Sequence, residues 1–187
     1  MNSQNIKFTA FDLEPEILEA INQKGFEQPT EIQLKTLTQA LNSSEHIVGK
    51  AQTGTGKTAA FGLPILNALD PKIKTTKSLI LCPTRELAVQ VTEELNSLKG
   101  TKKLFATAVY GGQSYEQQLR RLKHGDQIIV GTPGRVVDHI KRGTLKLHEL
   151  DFFVLDEADE MLNMGFMEEL DFILDQVPET SQKFFFS

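Results

Sequence analysis

Cysteine is all but missing from this 187-residue sequence: Cys82 stands alone. One thiol excludes an intrachain disulfide and a thiolate metal cluster, and a reducing cytoplasm is the expected compartment. Because Cys82 closes the apolar run "SLILC", it reads as a small core residue rather than a nucleophile. No apolar run approaches the roughly 18 residues of a membrane span, and "MNSQNIKFTAF" lacks the basic-then-apolar order of a secretion signal. Repeats, low-complexity tracts and internal linkers are missing too, so one compact domain with a substantial core is expected. The net charge of −5, taken whole, argues against a nucleic-acid partner. Its distribution argues otherwise. Residues 99–146 carry ten Lys or Arg against three Asp or Glu, whereas 147–187 carry one against eleven. The basic stretch is a candidate anion-binding surface, with two solvated faces of opposite sign as the alternative.

What is present is an alternation. Apolar runs of strand length occur at 46–50, 78–82, 103–110, 127–131, 152–156 and 183–187. Helical segments lie between them, near 57–69, 84–99, 114–124, 133–142 and 166–177. In the second of these, Leu87, Val91, Leu95 and Leu98 mark one face at spacings of four, four and three. Two further helices precede the first strand, one opened by Pro15 and ended by Gly25, the other capped by Thr30. Strands apolar on both faces and separated by helices predict an α/β fold, a doubly wound parallel sheet. In such a sheet every strand ends, and every following helix begins, on one rim, and ligands bind there. "AQTGTGKT", "PTREL", "GGQS", "TPGR" and "DEAD" each follow a strand, so that rim is expected to collect all five.

"AQTGTGKT" (51–58) is almost the phosphate-binding pattern G-x-x-x-x-G-K-[ST], with Ala51 in place of the first glycine. Gly54 and Gly56 supply the backbone freedom that turns successive N–H groups inward as an anion nest. Lys57 opens the helix and reaches terminal phosphates, the Thr58 hydroxyl can ligand Mg²⁺, and the helix amino end adds a favourable dipole. Ala51 is tolerable there if its φ is negative. A nucleotide hydrolase also needs an acid on the metal and a group that orients water. In "VLDEADEM", Asp156 is placed to hold Mg²⁺ through water and Glu157 to position and deprotonate the attacking water; an acidic turn before a helix is the bland alternative.

With these motifs in place, the chain resembles the amino-terminal RecA-like domain of the DEAD-box ATP-dependent RNA helicases, of bacterial type, over essentially its whole length. That family writes the loop A-x-T-G-x-G-K-T, which makes Ala51 a signature rather than damage. "GFEQPTEIQ" (25–33) resembles the adenine-recognition motif, and Phe8 lies 17 residues before Gly25, where the family places an isolated aromatic. The resemblance implies residues 1–44 as an adenine-recognition helical segment and 45–187 as a RecA-like P-loop NTPase domain. It implies an ATP site of Phe8, Phe26, Gln33, Ala51, Gln52, Thr53, Gly54, Thr55, Gly56, Lys57 and Thr58, with Lys57, Asp156 and Glu157 catalytic and Mg²⁺ on Thr58 and Asp156. A glutamine amide offers both a donor and an acceptor to adenine, so Gln33 can tell it from guanine, and Phe8 would stack on the ring. An ordinary core Phe is the alternative for Phe8.

"PTRELA", "GG" and "TPGR" resemble the family's RNA-contacting motifs, which assigns RNA to Pro83, Thr84, Arg85, Gly111, Gly112, Thr132, Pro133, Gly134 and Arg135. Thr84 and Thr132–Pro133 open helices whose free N–H groups suit phosphates, and Arg85 and Arg135 add charge-assisted bonds. None of these reads a base edge, so binding is expected to be sequence-tolerant and salt-sensitive; surface ion pairs are the alternative for the two arginines. Two departures stand out: Glu31 where Pro is common, and a chain that stops at Ser187, the first residue of the family's Ser-Ala-Thr motif. Asp159 and Ser187 are implied in coupling to a second RecA-like lobe that this chain lacks, so a longer parent protein is expected. The function implied is RNA-dependent ATPase and local duplex unwinding by the two-lobed enzyme, with the isolated lobe monomeric and nearly inactive. An ATP-gated RNA clamp fits the same residues; a small-metabolite phosphotransferase leaves "PTREL" and "TPGR" unexplained.

Overall fold

The computed structural model describes residues 6–52 and 54–187. All six expected strands form: Ile47–Gly49 (β1), Ser78–Leu81 (β2), Ala106–Val109 (β3), Ile128–Gly131 (β4), Phe152–Leu155 (β5) and Gln182–Phe186 (β6). Eight α-helices accompany them among the described residues: Pro15–Gln23 (α1), Glu31–Ala40 (α2), Lys57–Ala68 (α3), Arg85–Leu98 (α4), Tyr115–His124 (α5), Pro133–Lys141 (α6), Ala158–Asn163 (α7) and Met167–Leu174 (α8). The strands make one sheet in the order β1-β6-β5-β2-β4-β3, and every pairing is parallel.

Side chains alternate across this sheet with period two, which divides the interior into two cores. Ile80, Ile128, Val130, Val154, Phe184 and Phe186 join Ile17, Ile21, Phe61, Val91 and Leu95 of α1, α3 and α4 on one side. Leu79, Leu81, Ile129, Phe153 and Leu155 join Val136, Met161, Leu170 and Ile173 of α6, α7 and α8 on the other. Helix α3 is apolar around most of its circumference and lies deepest. Helix α4 comes so near that a β-carbon on Gly62 would lie 2.6 Å from the Leu95 side chain.

The short helix α7 has no counterpart among the expected elements. At six residues it is too brief to display a helical period, and "DEADEM" reads as an acidic turn. Three cations of the basic stretch are committed to partners within the chain. Lys102 is buried and donates to the carbonyls of Leu66 (2.7 Å) and Asn67 (3.1 Å), closing the carboxyl end of α3. Arg121 pairs with buried Asp126 at 2.8 Å, and Arg142 with Asp138 at 2.9 Å. At the edge strand β3, the Asn96 amide meets Ala106 as a neighbouring strand would, donating to its carbonyl (3.0 Å) and accepting from its N–H (3.4 Å).

Candidate active site at the carboxyl rim of the sheet

Because all six strands run the same way, the loops after them share one rim. β1 leads into the glycine loop and α3, β5 into the acidic turn and α7, and β6 lies between those two strands. Gly54 and Gly56 both adopt φ of 84°. At Gly56 a β-carbon would also collide with the Gln33 amide, so only glycine fits. Among the described residues Glu157 is the only non-glycine at positive φ, so Ala51 carries no such penalty. Its N–H donates to the Ser187 carbonyl at 3.0 Å, which ties the loop to the end of β6. Thr53 lies outside the described residues.

A cleft of about 1140 Å³ opens beside this loop. Ala51, Gln52, Thr55, Lys57, Glu157, Asp159 and Ser187 line it, as does Thr30. Lys57 is the first residue of α3 and only 8% exposed. Asp156, at the end of β5, is 2% exposed, and its Oδ1 has no hydrogen-bond partner among the described residues. Burial pushes its pKa up to about 6 against the pull of Lys57, and the neighbouring Glu157 adds to the rise. A buried, unpartnered carboxylate oxygen beside a lysine suits a hard cation, so the residues present fit Mg²⁺. Glu157 itself is held at φ 56°, ψ 51°, a conformation costing on the order of 1–3 kcal/mol that clusters at functional sites. Cys82 is buried, and burial together with Asp156 pushes its thiol pKa well up, which leaves it no role as a nucleophile.

The structure corrects one placement, that of Phe8, and adds a wall. Gln33 is buried. Its Oε1 accepts from the Thr30 N–H at 3.0 Å while its Nε2 donates to the Gly56 carbonyl at 3.1 Å. The Thr30 hydroxyl in turn donates to the Thr55 carbonyl at 2.9 Å, so the capping box of α2 is bolted to the phosphate loop. Phe8 is 3% exposed and belongs to the core around α1 and α3, away from the cleft lining. Phe26 is 38% exposed, carries the Lys24 ammonium 5.9 Å from its ring centroid and, like Phe8, is not among the residues lining the cleft. The added wall is a face of α2: Ile32, Lys35, Thr36 and Gln39 also line the cleft. Their helical spacing from Ile32 was the available signal, and no motif carried it.

Farther along the rim, Thr84 caps α4 by accepting from the Leu87 N–H at 3.2 Å, and Pro133 starts α6 behind Thr132. Arg85 is exposed and pairs with its neighbour Glu86, a surface pair that contributes little. Arg85 and Gly112 border one depression with Gln113, and Arg135 donates to the Gln113 carbonyl at 3.4 Å. The two arginines are therefore at the same end of the molecule. Gly111 and Gly112 have open space around them, and Gly134 is exposed as well.

A glycine loop, a lysine opening the buried helix behind it and a buried aspartate two strands away define a RecA-like P-loop domain. The chain belongs to the DEAD/DEAH box helicase family, whose family model matches residues 30–187. It is 51% identical over 181 residues to the ATP-dependent RNA helicase CshA of Listeria monocytogenes, covering 97% of this chain and 35% of that protein. To the ATP-dependent RNA helicase DeaD of Escherichia coli it is again 51% identical, over 96% of this chain and 29% of that protein. The chain thus spans about a third of such relatives. A crystal structure of a DEAD box protein from Methanococcus jannaschii superposes with a TM-score of 0.92 at 44% identity, covering 97% of this chain and 49% of that one.

Proposed function

We propose that this chain is the ATP-binding lobe of an ATP-dependent RNA helicase. In this reading it binds Mg²⁺-ATP in the cleft and single-stranded RNA backbone along the rest of the rim. The observation that carries the reading is the unpartnered, buried Oδ1 of Asp156 beside Lys57. Lys57 and the N–H groups of residues 54–58 would hold the phosphates, and Thr58 with Asp156 would hold Mg²⁺. The metal, when bound, supplies charge neutralisation on the phosphates. Glu157 would orient water and accept its proton. Gln33 would meet the adenine, so base recognition and loop position would be coupled through its bond to the Gly56 carbonyl. Phe26, the more exposed of the two rings, would be the one that meets the base. Unwinding, and a second lobe that includes Asp159 and Ser187 in its contacts, belong to the two-lobed protein.

Calorimetric titration tests this directly. ADP should bind only with Mg²⁺, GDP should bind at least about tenfold more weakly, and Asp156→Asn should abolish the metal requirement along with most of the affinity. Turnover by this chain should stay well below ~1 s⁻¹ even with RNA. Equal affinity for GDP, or tight binding without a metal, would rule the reading out.

A further inference from the structure

Gln118 belongs to none of the motifs, yet it is 1% exposed and all four of its hydrogen-bonding capacities are used. Its Nε2 donates to the Tyr110 carbonyl (2.9 Å) and to Gln113 Oε1 (2.8 Å). Its Oε1 accepts from Arg135 Nη1 (3.2 Å) and from His139 Nε2 (3.0 Å). A carbonyl can only accept and a guanidinium can only donate, so this amide has one permitted orientation. Tyr110 and Gln113 are the two residues that flank Gly111–Gly112. The amide therefore grips the glycine loop from both sides and Arg135 from beneath.

His139 holds the amide in turn. It is fully buried, stacks on Tyr115 with ring centroids 4.6 Å apart and planes 9° apart, and meets the Thr144 hydroxyl through Nδ1 at 2.8 Å. Gln118 Oε1 is an acceptor only, so His139 carries its proton on Nε2. Burial, and then Arg135, hold the imidazole below its ordinary pKa; Asp138 opposes this and Arg142 adds to it, which keeps the ring neutral at pH 7.

We propose that Gln118, oriented by His139, is the positioning residue that locks the Gly111–Gly112 loop to Arg135, so that loop and guanidinium meet one RNA phosphate strand as a single preformed surface. The proposal rests on the RNA reading of this rim. Without the amide, the loop and Arg135 belong to separate elements, and each would have to be ordered when RNA binds.

The test is NMR titration of the ¹⁵N-labelled chain with a single-stranded oligouridylate, following the Gly111 and Gly112 amides. Arg135→Ala should weaken RNA about tenfold. Gln118→Met and His139→Phe should each weaken it about three- to tenfold, leave Mg²⁺-ADP affinity unchanged, and cost little more once Arg135 is already alanine. Gln118→Glu keeps the acceptors facing Arg135 and His139 but sets a carboxylate oxygen against the Tyr110 carbonyl and Gln113 Oε1, so it should recover none of the loss. In the unmutated chain, long-range ¹⁵N correlation at pH 7 should show the neutral Nε2–H tautomer of His139. An Nδ1–H tautomer, or equal losses with and without Arg135, would overturn the positioning role while sparing the RNA reading. No effect of Arg135→Ala would instead bring down the RNA reading itself.

Discussion

Asp156 is the residue at which stability and use diverge. Its pKa of about 6 lies above the ordinary 3.8 chiefly because burial penalises the carboxylate. The folded chain therefore binds this proton more tightly than the unfolded chain does. As pH falls through 6 toward 3.8 the site increasingly favours folding, and above 6 the ionised form costs the ligand-free fold on the order of 3 kcal/mol. Asp156→Asn should accordingly raise the unfolding free energy at pH 8 by about 1–3 kcal/mol, with the gain vanishing near pH 4. Denaturant melts at the two pH values check this. Destabilisation at pH 8 would mean that Lys57 already compensates the charge.

At the scale of elements, α3 joins the site to the core. Its amino end carries Lys57 and its body is buried, while its carboxyl end is closed by a lysine rather than by a glycine. The Lys102 ammonium bonds two terminal carbonyls and reaches Glu14 at 2.8 Å, so it also fastens the residue before α1. Lys102→Met keeps most of the aliphatic stem but leaves those carbonyls unpaired. A loss of about 2 kcal/mol is expected by chemical denaturation, with nucleotide affinity per folded molecule unchanged. The strands and seven of the eight helices were legible in the sequence because each is long enough to show a period or is bounded by Pro, Gly or Thr. Helix α7 was not, since one and a half turns give no repeat to read.

The whole molecule decides which charges would remain for the proposed RNA partner. Among the described residues Arg85 forms an ion pair only with its exposed neighbour Glu86. Lys102, Arg121 and Arg142 are committed to a helix end, to Asp126 and to Asp138. If Arg85 and Arg135 each neutralise one phosphate, the logarithm of RNA affinity should fall against the logarithm of salt with a slope of about −1.4, two phosphates at about −0.7 each. Replacing both arginines with alanine should flatten that line. A slope several times steeper would mean that the basic stretch acts as one surface after all.

The sequence by itself determined the parallel α/β architecture, the rim on which the motifs gather and the identity of the phosphate loop with its carboxylates. These follow from periodicity and from short spacings, which are local. Tertiary structure alone decided that Phe8 is a core residue, that Gln33 bonds the Gly56 carbonyl, that Asp156 Oδ1 has no hydrogen-bond partner among the described residues and that Gln118 joins two rim motifs. Each of those depends on which distant groups exclude water or arrive within hydrogen-bond reach, and no spacing along the chain encodes that.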